Sequence, residues 1–154
     1  MSIDLTAQDV FGFLRPEQVN LISEFSEKVT YHAGETVYEK GASADHFYTL
    51  LNGEVVLRLP GKGDVSIIID QLAEGSMFGS CVCFHRDTYS LTAQCTKDSE
   101  LLRTKSSALK HLMDDDLVMG YGLQTRISEI YFNRYIDTMN KLQSIVRNIP
   151  MESA

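Results

Sequence analysis

A series of short segments with a period of two, running from Glu27 to Leu102, constrains the fold of this chain more than any other feature. Apolar and polar residues alternate within each segment, and turn residues recur roughly every 8–12 positions. The clearest turn is Pro60–Asp64, which reads Pro-Gly-Lys-Gly-Asp and separates two runs whose alternate residues are apolar. About eight short strands at this spacing predict a mainly β protein with flanking helices, built as a double-stranded β-helix or jelly-roll barrel. A roll of this kind encloses a pocket.

Helical patterns flank the predicted roll on both sides. Val10 to Phe25 has helical spacing, with Pro16 at a favourable position for a helix start. After the strands, Ser106 is predicted to cap a short helix over residues 107–113. The acids Asp114–Asp116 are predicted to begin a long helix, because acidic side chains stabilise the positive end of the helix dipole. We expect one domain in which residues 1–113 form the first helix and the roll, residues 114–149 the long helix, and residues 150–154 a tail.

The long helix carries a heptad pattern. No proline or glycine interrupts residues 123–149, and Pro150 marks the expected end. Apolar residues alternate at spacings of three and four, which is typical of a coiled-coil seam. They are Phe132, Tyr135, Met139, Leu142, Val146 and Ile149, and upstream Leu123, Ile127 and Ile130 continue a stripe with a shift of face. The pattern predicts a parallel homodimer through this helix; the alternative is a helix that folds back on its own roll.

The segment from Gly75 to Cys95 is the expected ligand-binding turn. Gly75 and Gly79 lie four residues apart, so the backbone can turn tightly and approach a ligand. The residues after Gly79 can form one turn of helix whose N–H groups face an anion. The candidates for this turn are Phe78, Gly79, Ser80, Cys81 and Val82.

An ordered series of glycines extends this pattern along the chain: Gly34 in Tyr-His-Ala-Gly-Glu, Gly41 in Glu-Lys-Gly, Gly53 in Leu-Asn-Gly-Glu-Val, then Gly75 and Gly79. With this series, residues 10–149 resemble the cyclic nucleotide-binding domain of the catabolite activator type. The resemblance implies a cage of backbone N–H groups around a cyclic phosphate, a glutamate on the ribose hydroxyl and an arginine on the phosphate. Ser80 stands at the glutamate position and Tyr89 at the arginine position, so both charged anchors are replaced.

Other side chains are candidates for the remaining ligand contacts. Arg86 can replace the missing arginine, although an arginine in a polar loop is more often solvent-exposed. Ser90 and Thr92 are candidate hydroxyl donors, since alternate residues of a strand share a face. Arg134 and Tyr135 fall where the resemblance places closure over the base. The possible effectors are a cyclic nucleotide (cAMP or cGMP), another small anion, or a neutral ligand.

Composition excludes several classes of protein. The net charge of −7 disfavours direct nucleic-acid binding, and no apolar run approaches the roughly 18 residues of a membrane span. The start lacks the features of a signal peptide, so a cytoplasmic location is expected. Three clustered cysteines, Cys81, Cys83 and Cys95, are not a disulfide framework; buried structural thiols are the main interpretation, and a redox or metal role with His85 is the alternative.

These features predict a regulatory module rather than an enzyme. The four histidines lack metal-ligand spacing, and Ser80 lacks the context of a nucleophile elbow. We expect neither catalytic residues nor a metal site. The expected module binds a small effector and signals through a dimer helix. Two alternatives are a ligand-free interaction module in which Tyr89 fills the pocket, and the effector half of a transcription regulator without its helix-turn-helix.

Overall fold

The computed structural model describes residues 9–146, apart from the side chains of residues 81 and 82. These residues form eight strands, three α-helices and a short 3₁₀ helix. The strands are β1 (Ser26–Tyr31), β2 (Thr36–Tyr38), β3 (His46–Asn52), β4 (Val55–Pro60), β5 (Ser66–Leu72), β6 (Met77–Phe78), β7 (Thr92–Cys95) and β8 (Ser99–Lys105). The helices are α1 (Pro16–Ser23), α2 (Ser106–Asp115) and α3 (Leu117–Val146), and the 3₁₀ helix is Cys81–Phe84.

The strands form two four-stranded sheets, in the orders β1-β8-β3-β6 and β2-β7-β4-β5. Every pairing within them is antiparallel. The predicted hairpin joins β4 to β5, with Val55 opposite Leu72 and Pro60 opposite Ser66. The prediction of a mainly β jelly roll with flanking helices is therefore confirmed.

Adjacent residues of the first sheet enter two different cores. Tyr48, Phe78 and Leu101 pack between the two sheets, whereas Phe47 and Leu102 pack beneath the helices. Neighbouring side chains of a strand point to opposite faces, so both faces of this sheet are covered. The second core fixes where the helices lie relative to the roll.

The first predicted helix is too long. Residues 9–13 form turns and α1 begins only at Pro16. Arg15 is extended, with φ −78° and ψ 157°, because a residue that precedes proline is sterically excluded from the helical region. The Arg15 N–H donates to Gln18 Oε1 (2.9 Å), which satisfies one free donor at the helix start.

The predicted starts of the two later helices are only partly right. Lys105 occupies the N-cap of α2 and makes no capping side-chain hydrogen bond, so Ser106 is the first helical residue and not the cap. Of the three acids, Asp114 and Asp115 end α2. Asp116 alone begins the long helix, since its Oδ1 accepts the Met119 N–H at 3.1 Å.

Two faces of α3 have different surroundings. Met119, Leu123 and Ile127 are buried against the roll, so the upstream stripe, with its expected shift of face, packs on the chain's own roll. Four of the seam residues are exposed and, with Tyr121, form what we call the outer stripe. The outer stripe is Tyr121, Phe132, Tyr135, Met139 and Leu142.

Several predictions lie outside the described residues. Ile149, the helix end at Pro150 and the tail at 150–154 belong to this part of the chain, as do residues 1–8. Within residues 9–146, no helix combines the length and the apolar character that crossing a bilayer requires.

Candidate functional site

A cavity of about 240 Å³ lies between the roll and α3. Gly79 and Ser90 come from the predicted binding turn and its exit, and Arg134 comes from α3. The rest of the lining is mainly aromatic and aliphatic. The lining consists of Tyr38, Leu57, Ile69, Asp70, Gly79, Ser90, Leu91, Tyr131, Arg134, Tyr135 and Thr138.

Tyr89 is buried beside the binding turn. Its side chain is 4% exposed, and a Cβ at Gly79 would lie 3.3 Å from the Tyr89 ring. The Tyr89 hydroxyl donates to the His46 carbonyl (2.7 Å) and accepts the His46 N–H (3.2 Å). A neutral ring, anchored to the backbone of β3, therefore occupies the space next to the turn.

Four aromatic rings surround this turn. Tyr38 stacks on Tyr89, and Tyr48 stacks on Phe78 with ring centroids 5.2 Å apart. Burial raises the pKa of Tyr48 well above its ordinary value, which keeps the phenol neutral at physiological pH. The aromatic cluster thus adds packing and no charge.

Ser80 connects the binding turn to α3. Its side chain is fully buried, and Ser80 Oγ donates to the Tyr131 hydroxyl at 3.0 Å. Nearby, Gln124 Nε2 donates to the Cys83 carbonyl at 3.2 Å. Two hydrogen bonds therefore tie the segment after Gly79 to the long helix.

Arg134 supplies the guanidinium of the cavity. Its Nε lies 3.3 Å from Asp70 Oδ2, its Nη2 donates to the Met77 carbonyl, and its Cζ lies 5.5 Å from the centre of the Tyr131 ring. The charge is thereby neutralised by Asp70. Arg134 Nη1 is buried and has no hydrogen-bond partner among residues 9–146, so it is a donor without an acceptor at the cavity wall.

The structure brings together only part of the predicted site. Gly79, Ser90, Arg134 and Tyr135 share the cavity, while Phe78 is core and Thr92 turns away from it. Thr92 Oγ1 accepts the Lys40 N–H at 3.0 Å and donates to Glu39 at 3.3 Å.

Other predicted residues lie elsewhere or are described only by their backbone. Arg86 is exposed and lines a separate cavity beside α2. The backbone of Cys81 and Val82 forms the predicted single turn, as a 3₁₀ helix.

Sequence reasoning missed three residues that define the site: Tyr38, Asp70 and Tyr131. Tyr131 lies three residues before Arg134, one helical turn away, and this spacing was a usable signal. Tyr38 and Asp70 reach the site through strand pairing across the second sheet, and no local pattern marks them. Such long-range pairings are set by the topology rather than by neighbouring residues.

The thiols and histidines form no second reactive centre in the described part of the chain. Cys83 and Cys95 are buried in the two cores, and burial raises the pKa of Cys95 above its ordinary value. Residues 9–146 contain no cluster of three or more potential metal ligands. The chemistry available in the cavity between the roll and α3 is binding through apolar walls and one guanidinium.

Solved structures of other proteins superpose on this chain and share its fold. The Thermus thermophilus catabolite activator protein superposes with a TM-score of 0.71 at 20% identity, covering 90% of this chain and 63% of that one. The sensor domain of the transcriptional regulator DNR from Pseudomonas aeruginosa gives a TM-score of 0.67 at 21% identity, covering 97% and 93%. These likenesses show the fold.

Among curated proteins, the chain is similar to lysophospholipase nte1 from Aspergillus fumigatus. The two are 23% identical over 115 residues, which are 75% of this chain and 7% of the fungal protein. The chain therefore spans only a small part of the length of that relative.

The family comparison is the most direct. Residues 28–116, more than half of the chain, match the model of the cyclic nucleotide-binding domain. This match begins within β1 and covers β2 to β8, the binding turn and all of α2. The chain belongs to the cyclic nucleotide-binding domain family.

Proposed function

We propose that this chain is a regulatory sensor module that binds a small effector between the roll and α3, and passes occupancy to a partner copy through the outer stripe. The observation that carries the proposal is the cavity of about 240 Å³, which has one wall on the roll and the other on α3. A ligand in this cavity would contact the roll and α3 at the same time. Its binding energy can therefore bias the position of the helix.

The lining favours an effector that is bound mainly through its apolar surface. Leu57, Ile69 and Leu91 face it with the tyrosine rings, and Arg134 is already paired with Asp70. Tyr89 stands where the resemblance places a phosphate-binding arginine, and it brings no charge. We therefore propose an uncharged or weakly charged ligand with a flat ring and an acceptor atom for Arg134 Nη1. The cyclic nucleotides cAMP and cGMP, which the family resemblance implies, are the charged ligands with which we compare this proposed uncharged ligand.

Isothermal titration tests the ligand class with matched compounds. Adenosine has the base and ribose of cAMP without the phosphate. We expect adenosine to bind within about threefold of cAMP, since no unpaired cation among residues 9–146 lines the pocket. Binding of cAMP more than tenfold tighter than adenosine would contradict a phosphate-independent site.

Two arginine variants locate the binding. Arg134→Gln removes the guanidinium and should weaken the tighter of the two ligands by about tenfold or more. Arg126→Gln is the matched control, because Arg126 lies on the same helix and bonds instead to the Asp9 carbonyl (2.7 Å). Equal loss in both variants would show that α3 itself had been disturbed.

Transmission to α3 is tested separately by amide hydrogen exchange. A ligand that closes the cavity should slow exchange in residues 128–146, as well as at residues 79–84. Protection confined to the turn would retain the binding site but contradict signalling through α3.

A second candidate function is a ligand-free interaction module. The observation in its favour is Tyr89, which fills the space beside Gly79 and is held by two hydrogen bonds to His46. If neither cAMP, cGMP nor adenosine produces heat at millimolar concentration, while the protein still associates through α3, this second function is the better description.

A further inference from the structure

A second cavity, of about 530 Å³, lies where the loop after the 3₁₀ helix meets the start of β3 and the start of α2. It shares no lining residue with the first cavity. The loop is held in place by the Ala44 N–H, which donates to the Asp87 carbonyl at 2.8 Å, and by a bridge between Ser43 and Thr88. Backbone contacts between residues 43–44 and residues 87–88 therefore hold two walls of the second cavity together.

The N-terminus of α2 opens onto this cavity. Free N–H groups and the helix dipole give a helix start a partial positive charge, which favours an anion. The Ser106 N–H already donates to the Asp45 carbonyl at 3.0 Å, so the donors for an anion would be the N–H groups of Ser107 and Ala108. The N-cap residue is Lys105, whose side chain makes no capping bond. A cation at this position is unfavourable with the dipole. An anion at the helix start would accept hydrogen bonds from the uncapped N–H groups and would offset the Lys105 charge.

Ser106 provides an independent indication of a ligand. Ser106 lines the cavity, and only 2% of its surface is exposed. Its Oγ is buried and has no hydrogen-bond partner among residues 9–146. A buried hydroxyl without a partner costs about 1–3 kcal/mol, and an oxyanion in the cavity is the natural acceptor for it.

Charged side chains frame the opening. Arg86 and Lys105 line it, and neither forms an ion pair with another residue of the described range. Two acids also line it: Asp45 accepts the Ser43 hydroxyl at 2.8 Å, while Asp87 is exposed at the surface. The carboxylates oppose an anion, and they limit its affinity.

We propose that this second cavity binds a small oxyanion of the phosphate or sulfate class, held by the N–H groups at the start of α2, by Ser106 Oγ and by the side chains of Arg86 and Lys105. The site is separate from the effector pocket. It depends neither on the identity of the effector nor on α3.

The test is a titration of the whole chain with inorganic phosphate, at constant ionic strength with chloride as the balancing ion, followed by amide chemical shifts. Saturable shifts at Ser106, Ser107 and Ala108 are expected, with a dissociation constant in the millimolar range. Ser106→Ala should weaken binding by about fivefold. Lys105→Gln and Arg86→Gln should each weaken it by about threefold or more. Asp87→Asn should tighten it by about threefold, because a repulsive charge is removed.

Thermal melts provide a second readout and guard against misfolding. Ser106→Ala should melt no lower than the parent protein without phosphate, since it removes an unpaired buried hydroxyl and alanine favours helix. It should then lose the extra stabilisation that phosphate gives. Phosphate also stabilises proteins by exclusion from their surface, and Arg126→Gln, which leaves both cavities intact because Arg126 lines neither, measures that general effect. Non-saturating shifts, or an equal phosphate response in Ser106→Ala and Arg126→Gln, would overturn the proposal.

Discussion

Tyr38 and Tyr89 stack face to face, with ring centroids 3.6 Å apart and an angle of 12° between their planes. Tyr38 comes from β2 and Tyr89 from the segment that leads to β7, so the stack joins two parts of the chain about fifty residues apart. Both rings lie beside the binding turn. The stack places two aromatic rings at the position where the resemblance implies an arginine.

Removal of the Tyr89 hydroxyl tests how firmly this ring is anchored. Tyr89→Phe retains the stack but leaves the His46 carbonyl and N–H without their partner. We expect a loss of about 1–2 kcal/mol in the free energy of unfolding, seen in urea denaturation as a lower midpoint at an unchanged slope. Tyr121→Phe, at an exposed position of α3, should have no effect. An equal midpoint for the two variants would mean that the His46 bonds contribute nothing.

Two glycines of α3 offer a matched comparison. Alanine in a helix is about 1 kcal/mol more favourable than glycine, but a Cβ at Gly120 would lie 2.4 Å from the Met113 carbonyl oxygen. A Cβ at Gly122 would meet only the tip of the Phe13 ring, at 2.7 Å, and this ring is 43% exposed and can move. Gly120→Ala should therefore destabilise by about 1–3 kcal/mol, whereas Gly122→Ala should be neutral or stabilising. Thermal denaturation distinguishes them; the reverse order would show that α2 and α3 are not packed this closely.

His46 should make the free energy of unfolding depend on pH in the mildly acidic range. Burial lowers the pKa of His46 below its ordinary value of 6.5, and Arg103 lowers it further. Below pH 6.5 the unfolded chain binds this proton before the folded chain does, so the free energy of unfolding is highest above pH 6.5 and falls as the pH decreases. His46→Gln should reduce this slope, measured by urea denaturation between about pH 5 and 7. His111→Gln, at an exposed position of α2, should retain it; an unchanged slope in His46→Gln would assign the acid sensitivity to other groups.

The outer stripe makes a prediction about association. Met139 is 50% exposed and Leu142 is 59% exposed, an apolar surface that a partner helix would cover. Met139→Glu should shift the protein from dimer to monomer in sedimentation equilibrium, with at least a tenfold weaker association. Ser144→Glu adds the same charge on a different face of α3 and should leave the dimer intact. A monomeric parent protein, or a dimer that both variants preserve, would contradict the proposed interface.

Much of the fold could be predicted because its signals are local. Alternating strands, the turn at Pro60–Asp64 and the long uninterrupted helix all follow from nearby residues. The helix starts were predicted less well. Lys105 occupies a cap position that its type disfavours, and Asp116 divides an acidic run that looked continuous.

The candidate site was predictable only in part. Gly79 and Arg134 were identified, the first from turn chemistry and the second from the resemblance. Asp70 was not, because it meets Arg134 only when β5 is paired against β4 and α3 is folded onto the roll. A sequence pattern identifies a residue that can carry charge, but the partner that neutralises it depends on the folded topology.

The close approach at Gly120 gives α3 a mechanical property. The helix runs on for 26 residues from Gly120 to Val146, roughly 39 Å at 1.5 Å per residue. A tilt of about 5° at Gly120 would therefore displace the far end by roughly 3 Å. A movement of less than 1 Å near the first turn would become a change of about 3 Å at Leu142 and beyond, so α3 would act as a lever that pivots at Gly120, where a side chain would meet the Met113 backbone.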